Sequence, residues 1–494
     1  MGRGGWAWCG GEGGGGVEWV GVAWCVMTEA IMGWSRAREA LCWWCVAVSV
    51  GLMVGVARGQ EGKQIKLTIK ETSLGPLGPG GKMAFSKDGR HVAYAAKRDS
   101  KWVVMVDGVA GKEHEWVVAN SLVFSADGAR LAYEVQEGEK MMMVIGGEEG
   151  KRYQEVLSRA TFSGDGKRVG YVAKVSAESK GVVAVLDGVE SQEYERINRV
   201  VFSEDGKRFG FRAEKSGKRK WVIDGKEGKG YDTVGLLEFI ADGKRWGHMA
   251  EAGGKQMMVV DGEEGKGYDL AGGLRFSADG KRVAYAATRG RRFLVVVDGS
   301  EGKEYDLVTE PRFSGDGARF AYEAVRNKRC MVVVDGEEGR TYDQVGMAAF
   351  SGDGKHVVYR ASVDRKYVVV VDGVEGKEYE RVGSTVAISP DGKRLAYAAK
   401  KGTEDCLVVD GKEVEGAGSI TMSPDGRYVA HAKDIAPGPG RSGGSVLLVN
   451  GVMGKEYDGF FVGAEWVFEG PNRLVLLATR GGEVVRVEVE IGEE

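Results

Sequence analysis

The stretch VVVDGEEGRTYDQV, Val332 to Val345, places Asp335, two further acids, a Gly-rich bend, Tyr342 and Asp343 close together. Carboxylates at this density could hold a metal ion, act as an acid and base pair, or grip a sugar. The stretch is not alone, however. VVVDGSEGKEYDLV, VVVDGVEGKEYERV and MVVDGEEGKGYDLA repeat it elsewhere in the chain. A catalytic constellation is normally unique, whereas a repeated one is normally structural. Asp335-Gly336 fits a tight hairpin, because Gly takes positive φ freely and Asp bonds its own backbone. Gly339 plays a similar part nearby, and Tyr342, apolar in its ring and polar at its tip, suits packing between neighbouring units. The copy VIGGEEG, Val144 to Gly150, lacks the Asp that a required metal ligand would keep.

A second motif carries acids. F-S-x-D-G-K/R begins at Phe85, Phe124, Phe162, Phe202, Phe276, Phe313 and Phe350, with variants at Phe239, Ile388 and Met422 and a degenerate copy at Phe468. It lacks the spaced oxygen ligands of a calcium loop and reads as a turn. GPGRSGG, Gly438 to Gly444, spells a nucleophile elbow around Ser442 and a dinucleotide fingerprint, but no helix follows, so it reads as a loop. Of the five histidines, His91 and His356 stand where other copies carry Arg and read as surface residues. His114, His248 and His431 complete the set, and no pair has metal-ligand spacing. No catalytic, cofactor-binding or metal-ligating residue is assigned, and no cofactor is expected.

The elements that position these motifs recur every 37 to 40 residues in most steps. Each unit has four short segments rich in β-branched and aromatic residues, bounded by Gly and Asp, and no helical period occurs. Four strands in about 40 residues make one blade of a β-propeller. The fold class is therefore all-β, a propeller of about eleven four-stranded repeats. Propellers usually have about four to eight blades, so one large ring and two smaller rings both stay open. The propeller is assigned to residues 60–494. Strand 64–70, QIKLTIK, joins three C-terminal strands to complete the last blade, which removes the free edges of an open array.

The pattern F-S-x-D-G-K/R…A-Y…V-D-G resembles the WD40-like (PD40) propeller repeats, as in the C-terminal propeller of the TolB family. The likeness spans residues 83–460 well and the last blade weakly. It implies a propeller and little about function. The family favours S-P-D-G, yet Pro occurs only at Pro390 and Pro424. Neither the N-terminal domain of TolB-like proteins nor the hydrolase domain of prolyl-oligopeptidase relatives has a counterpart, so neither role transfers.

The first 59 residues differ in composition, with seven of the twelve Trp and four of the six Cys. Arg36 and Arg38 precede an apolar run from Leu41 to Val56, and small residues suit cleavage after Ala57 or Gly59. This reads as a signal peptide region over 1–59, with translation starting at Met32 or Met27. An exported protein, periplasmic or secreted, is expected, with no membrane span after the leader is removed. Only Cys330 and Cys406 remain, two units apart, so no disulfide is expected. The net charge of −3 does not suit a nucleic-acid partner.

Strands in a blade alternate in direction. The S-x-D-G and V-D-G turns must then share one face, and the hairpins between second and third strands share the other with the links between blades. The first set is stereotyped and the second varies, and variable loops on a rigid scaffold are where binding usually sits. Several of these loops are basic, while QEGE, Gln136 to Glu139, is acidic. The candidate binding face comprises Lys97, Arg98, Lys218, Arg219, Arg289, Arg291, Arg292, Arg326, Lys328 and Arg329. The expected partner is a protein or an anionic envelope polymer. The competing reading is a hydrolase, lyase or lactonase with non-repeated acids or histidines converging on the central channel.

Overall fold

Valine, alanine and tyrosine fill the segments between the recurring bends, and these segments form strands. The computed structural model describes residues 53–58, 64–76, 83–88, 90–240, 242–402, 404–415, 420–435, 443–460 and 466–493. Among them there is no helix, and the strands form eleven antiparallel sheets. The sixth blade is typical, with strands Leu270–Phe276, Val283–Arg289, Arg292–Val297 and Ser300–Glu301 in spatial order. Its register runs Phe276↔Val283, Arg289↔Arg292 and Val297↔Ser300, so each hairpin is tight.

The core lies between blades rather than within one layer. Met258 of the fifth blade, Tyr268 of the link, and Tyr285, Leu294 and Val296 of the sixth form one buried cluster. Equivalent clusters recur along the chain. The middle strands are buried on both faces because a sheet is packed on either side of them. First strands of several consecutive blades touch one another, whereas last strands meet to this extent only where Val452–Tyr457 of the tenth blade lies beside the outer strands of the eleventh sheet. The first-strand edges therefore converge on the axis.

The blades follow one circuit. Consecutive sheets pack on each other throughout the series. The eleventh then packs on the first: Leu74, Leu477 and Val484 enclose Val92, with Met83 and Phe85 against them. Arg90 of the first blade reaches Glu469 of the eleventh at 2.7 Å. Two separate rings would instead pair the last blade with one in mid-chain. The protein is a single-ring, all-β propeller.

Gln64–Pro76 pairs with Glu483–Glu493 and lies outside it in the eleventh sheet. Met53–Arg58 adds a further strand along Gln64–Ile69. The rest of the leader segment, and Ser442 with most of its glycine-rich motif, lie outside the described residues. Among the described residues, Cys330 and Cys406 form no disulfide.

Candidate binding face

On the turn face, the repeated acids hold backbone. Ser351 Oγ donates to Asp353 Oδ1 at 2.6 Å and accepts from the His356 amide at 3.0 Å. Asp353 Oδ1 also accepts from the Lys355 amide at 3.2 Å. Gly354 is required twice over: its φ is +71°, and a Cβ there would lie 2.6 Å from Asp316 Oδ1 of the preceding blade.

Asp335 and Gly336, with φ of +53° and +86°, form the hairpin turn of positive dihedrals that matches strand twist. Asp335 accepts from the Phe320 amide and from Arg319 Nε, each at 2.8 Å. Arg319 Nη1 donates to the Lys355 carbonyl of the next blade at 2.8 Å, and its guanidinium lies 5.7 Å from the Phe350 ring centre. The Arg of D-G-K-R thus bolts its own hairpin to the next blade, using a planar fork that also stacks. His91 and His356, read as surface residues at the arginine position, keep 38% of their side-chain surface exposed and make the equivalent bond to the hairpin Asp. Their Nδ1 atoms meet Asp107 and Asp372, each at 2.7 Å. His91 also stacks on Phe124 of the next blade.

On the opposite face, the Tyr-Asp pairs of the links, as at Tyr268-Asp269 and Tyr305-Asp306, do a second kind of joining. Tyr305 is fully buried, its ring edge-on to Tyr322 at 6.2 Å, and its hydroxyl donates to Glu338 at 3.0 Å. Asp269 bonds Lys255 at 2.6 Å and accepts from the Gly290 amide at 2.6 Å, tying the fifth blade to the hairpin of the sixth. Asp306 does the same between Arg292 and the Asn327 amide. Glu301 faces Lys266, Arg289 and the Tyr268 hydroxyl, and these hold its carboxyl down to about 2. The carboxylates that looked like a site are staples.

The predicted cations divide accordingly. Lys218 pairs with Asp232 at 2.5 Å, and Arg219 with Glu214 at 3.5 Å. Arg289 pairs with Glu301 at 2.7 Å and Arg326 with Glu338 at 2.9 Å. Arg292 and Arg329 pair with Asp306 and Asp343. Lys97, Arg98, Arg291 and Lys328 are exposed at hairpin tips. Among the described residues, Lys97, Arg291 and Lys328 form no ion pair. The tips of the sixth and seventh blades are neighbours, joined through Asp306, while those of the first and fourth stand apart around the ring.

The wall nearest the axis carries what the sequence reading passed over. Three residues before the motif Phe of the third to eighth blades stand Arg159, Arg199, Leu236, Gly273, Glu310 and Met347. Leu236 and Met347 are exposed. Arg275 lies between Glu238 at 3.5 Å and Glu310 at 2.7 Å. A cleft of about 480 Å³ opens beside Asn198, Arg199, Arg212 and Leu236. A second, of about 470 Å³, shares Asn198 and Arg212 and reaches Leu157 and Arg196. The usable signal was this inner-strand position, where the repeat changes chemistry from blade to blade as it does at the hairpin tips.

Two buried acids also lie outside the motifs. Glu323 accepts from Thr309 Oγ1 and from the Ala348 amide of the next blade, and burial raises its carboxyl. Burial pushes Glu134 up to about 7, opposed by the charge of Arg159.

No family model matches the sequence, and no curated protein matches it. Solved structures with a similar fold include TolB from Acinetobacter baumannii, at 16% identity over 50% of this chain and 77% of that one, with a TM-score of 0.24. The Dos1 propeller shares 12% identity over 58% of this chain and 90% of that one, with a TM-score of 0.30. The propeller domain of the trilobed protease from Pyrococcus furiosus shares 14% over 53% and 94%, with a TM-score of 0.27. Superpositions at this level carry neither a site nor a partner across to this chain.

Proposed function

We propose that this protein is an exported binding or scaffold propeller of the WD40-like kind, recognising a protein or an envelope polymer through its variable-loop face. One observation carries the reading. The recurring acids and arginines are engaged in turns and blade-to-blade staples, so the freedom to bind lies with residues outside the repeat, such as Lys97, Arg291 and Lys328 at the hairpin tips. A rigid ring presenting variable tips is a scaffold for contact. Export is supported by Arg36, Arg38 and the apolar run that follows them.

The test is capture from an envelope extract of the native organism on immobilised protein. A second column carries Lys97→Glu, Arg291→Glu and Lys328→Glu, which touch no staple. A partner held by the first column and lost from the second is the expected result. Equal capture on both would place the contact elsewhere. Sequencing the N-terminus of the exported protein tests the leader, with residue 58 or 60 expected first.

A further inference from the structure

We propose that the groove along the first strand of the fourth blade, Arg196–Phe202, binds an extended acidic peptide segment of a partner protein. This rests on the binding reading above and gives it a second, chemically defined contact.

The two clefts share Asn198 and Arg212 and so join into one groove. One end reaches Leu157 and Arg219, near the variable loops, and the other reaches Gly164 and Glu204, at the turn face. A seven-residue strand is about 23 Å long, which is the span of an extended segment of similar length. The strand is bulged between Ile197 and Val200, which leaves Asn198 and Arg199 without partners across the ladder. Bulges of this kind re-aim side chains and are frequent beside sites.

Charge gives the groove its preference. Arg196 and Arg199 are exposed and, among the described residues, form no ion pair and no side-chain hydrogen bond. Arg212 is half-buried and uses Nη1 on the Val234 carbonyl at 3.1 Å, which leaves other donors of its fork for a carboxylate. Burial, then the neighbouring Arg219, weakens its hold on its proton. The acids along the groove are mostly engaged elsewhere. Glu195 accepts from the Ser216 amide at 2.8 Å, Glu214 meets Arg219 at 3.5 Å, and Glu238 meets Arg275 at 3.5 Å. Glu204 stands at the turn-face mouth. The most exposed apolar surface is aliphatic, with Leu157 at 45% and Leu236 at 70% exposure. A sugar polymer would call for an exposed aromatic platform, whereas at this cleft Trp221 is only 5% exposed and Phe162, Phe202 and Phe239 are half-buried. Arginines interleaved with leucines match a chain that alternates carboxylates with apolar side chains.

The experiment is fluorescence anisotropy with the full chain and an array of labelled dodecapeptides in which Glu, Asp, Leu, Val and Ser positions vary. Polyglucuronate serves as competitor. The expected result is saturable binding of acidic-apolar peptides, weakened at least tenfold in Arg196→Gln/Arg199→Gln and severalfold in Leu236→Ser. Binding should be unchanged in the tip variant Lys97→Glu/Arg291→Glu/Lys328→Glu. Melting curves confirm that each variant folds. Absence of peptide binding, binding indifferent to the arginine variant, or retention of polyglucuronate in place of peptide would each overturn the proposal. Capture that depends on the tips while no peptide binds would sink the groove and leave the loop-face reading intact. Peptide binding without tip-dependent capture would do the reverse.

Discussion

The interfaces between blades and the wall around the axis are built from the same repeating unit, yet they obey different rules. At the interfaces every copy carries nearly the same chemistry. Tyr305, Tyr342 and Tyr379 are buried at successive links, and Arg282 and Arg319 pair with Asp298 and Asp335 in the same way. At the wall the equivalent residues are Arg199, Leu236, Gly273, Glu310 and Met347. A position that must satisfy two neighbours at once has little latitude. A position facing solvent at the axis has a great deal. In this protein repetition marks the contacts between blades, and divergence marks the surface on which we propose recognition.

The comparison breaks first, and hardest, at the link tyrosines. Tyr305→Ala removes a fully buried ring and should cost about 3–5 kcal/mol. Met347→Ser on the wall should stay within about 0.5 kcal/mol. Urea denaturation of both variants measures the contrast, and equal losses would erase it.

Next comes the hairpin corner. Asp335→Ala loses two hydrogen bonds and places a less suitable residue at φ +53°, for an expected cost of about 1–3 kcal/mol. Asp335→Asn should lose less than Asp335→Ala, because Asn450 already occupies the equivalent turn with φ +47° and accepts from the Val429 amide, but an Asn Nδ2 cannot accept from Arg319 Nε as Asp335 does. Arg319→Lys should lose about 1 kcal/mol despite keeping its charge, since an ammonium cannot serve Asp335, the Lys355 carbonyl and the Phe350 ring together.

Acid titration sharpens the same contrast. Glu301, Glu380 and Glu413 are held at about 2 by lysine and arginine partners, below their unfolded values near 4.5. Groups depressed in the folded state stabilise it above the unfolded pKa, and that contribution fades as pH falls from about 4.5 toward 2. Glu134 runs the other way. Raised to about 7, it binds its proton more tightly folded than unfolded, so its contribution declines as pH rises from about 4.5 to 7. Chemical denaturation across pH should show both limbs, and Glu134→Gln should flatten only the upper one. The smallest effect belongs to the tips: Arg291→Gln and Lys328→Gln should leave stability within about 0.5 kcal/mol in the same assay.

Much of the fold was legible because its signals are local. The S-x-D-G corners are set by hydrogen bonds between residues two to five apart, the V-D-G corners by adjacent Asp and Gly residues that take positive φ, and strands between such corners must pair as hairpins. The candidate face was legible only in part. Basic tips could be counted from the sequence, but Lys218, Arg292 and Arg329 proved to be neutralised by acids fourteen residues downstream. Those acids belong to the link into the next blade, and their reach depends on how blades stack. The Asp partners of His91 and His356 were not legible for the same reason, because they lie sixteen residues away across a strand pair.

The sequence by itself determined the blade, its four strands, its turn chemistry and the division into a stereotyped face and a variable one. Each of these follows from residues near one another in the chain. Tertiary structure alone decided that eleven blades close one ring, through contacts such as Arg90 with Glu469, 379 residues apart. It also decided which charges are engaged and which are left over. Pairing between blades depends on twist and spacing accumulated over the whole circuit, and no short window of sequence encodes that sum. The groove beside Arg196 and Arg199 emerges only when the ring has closed and the staples have claimed their acids.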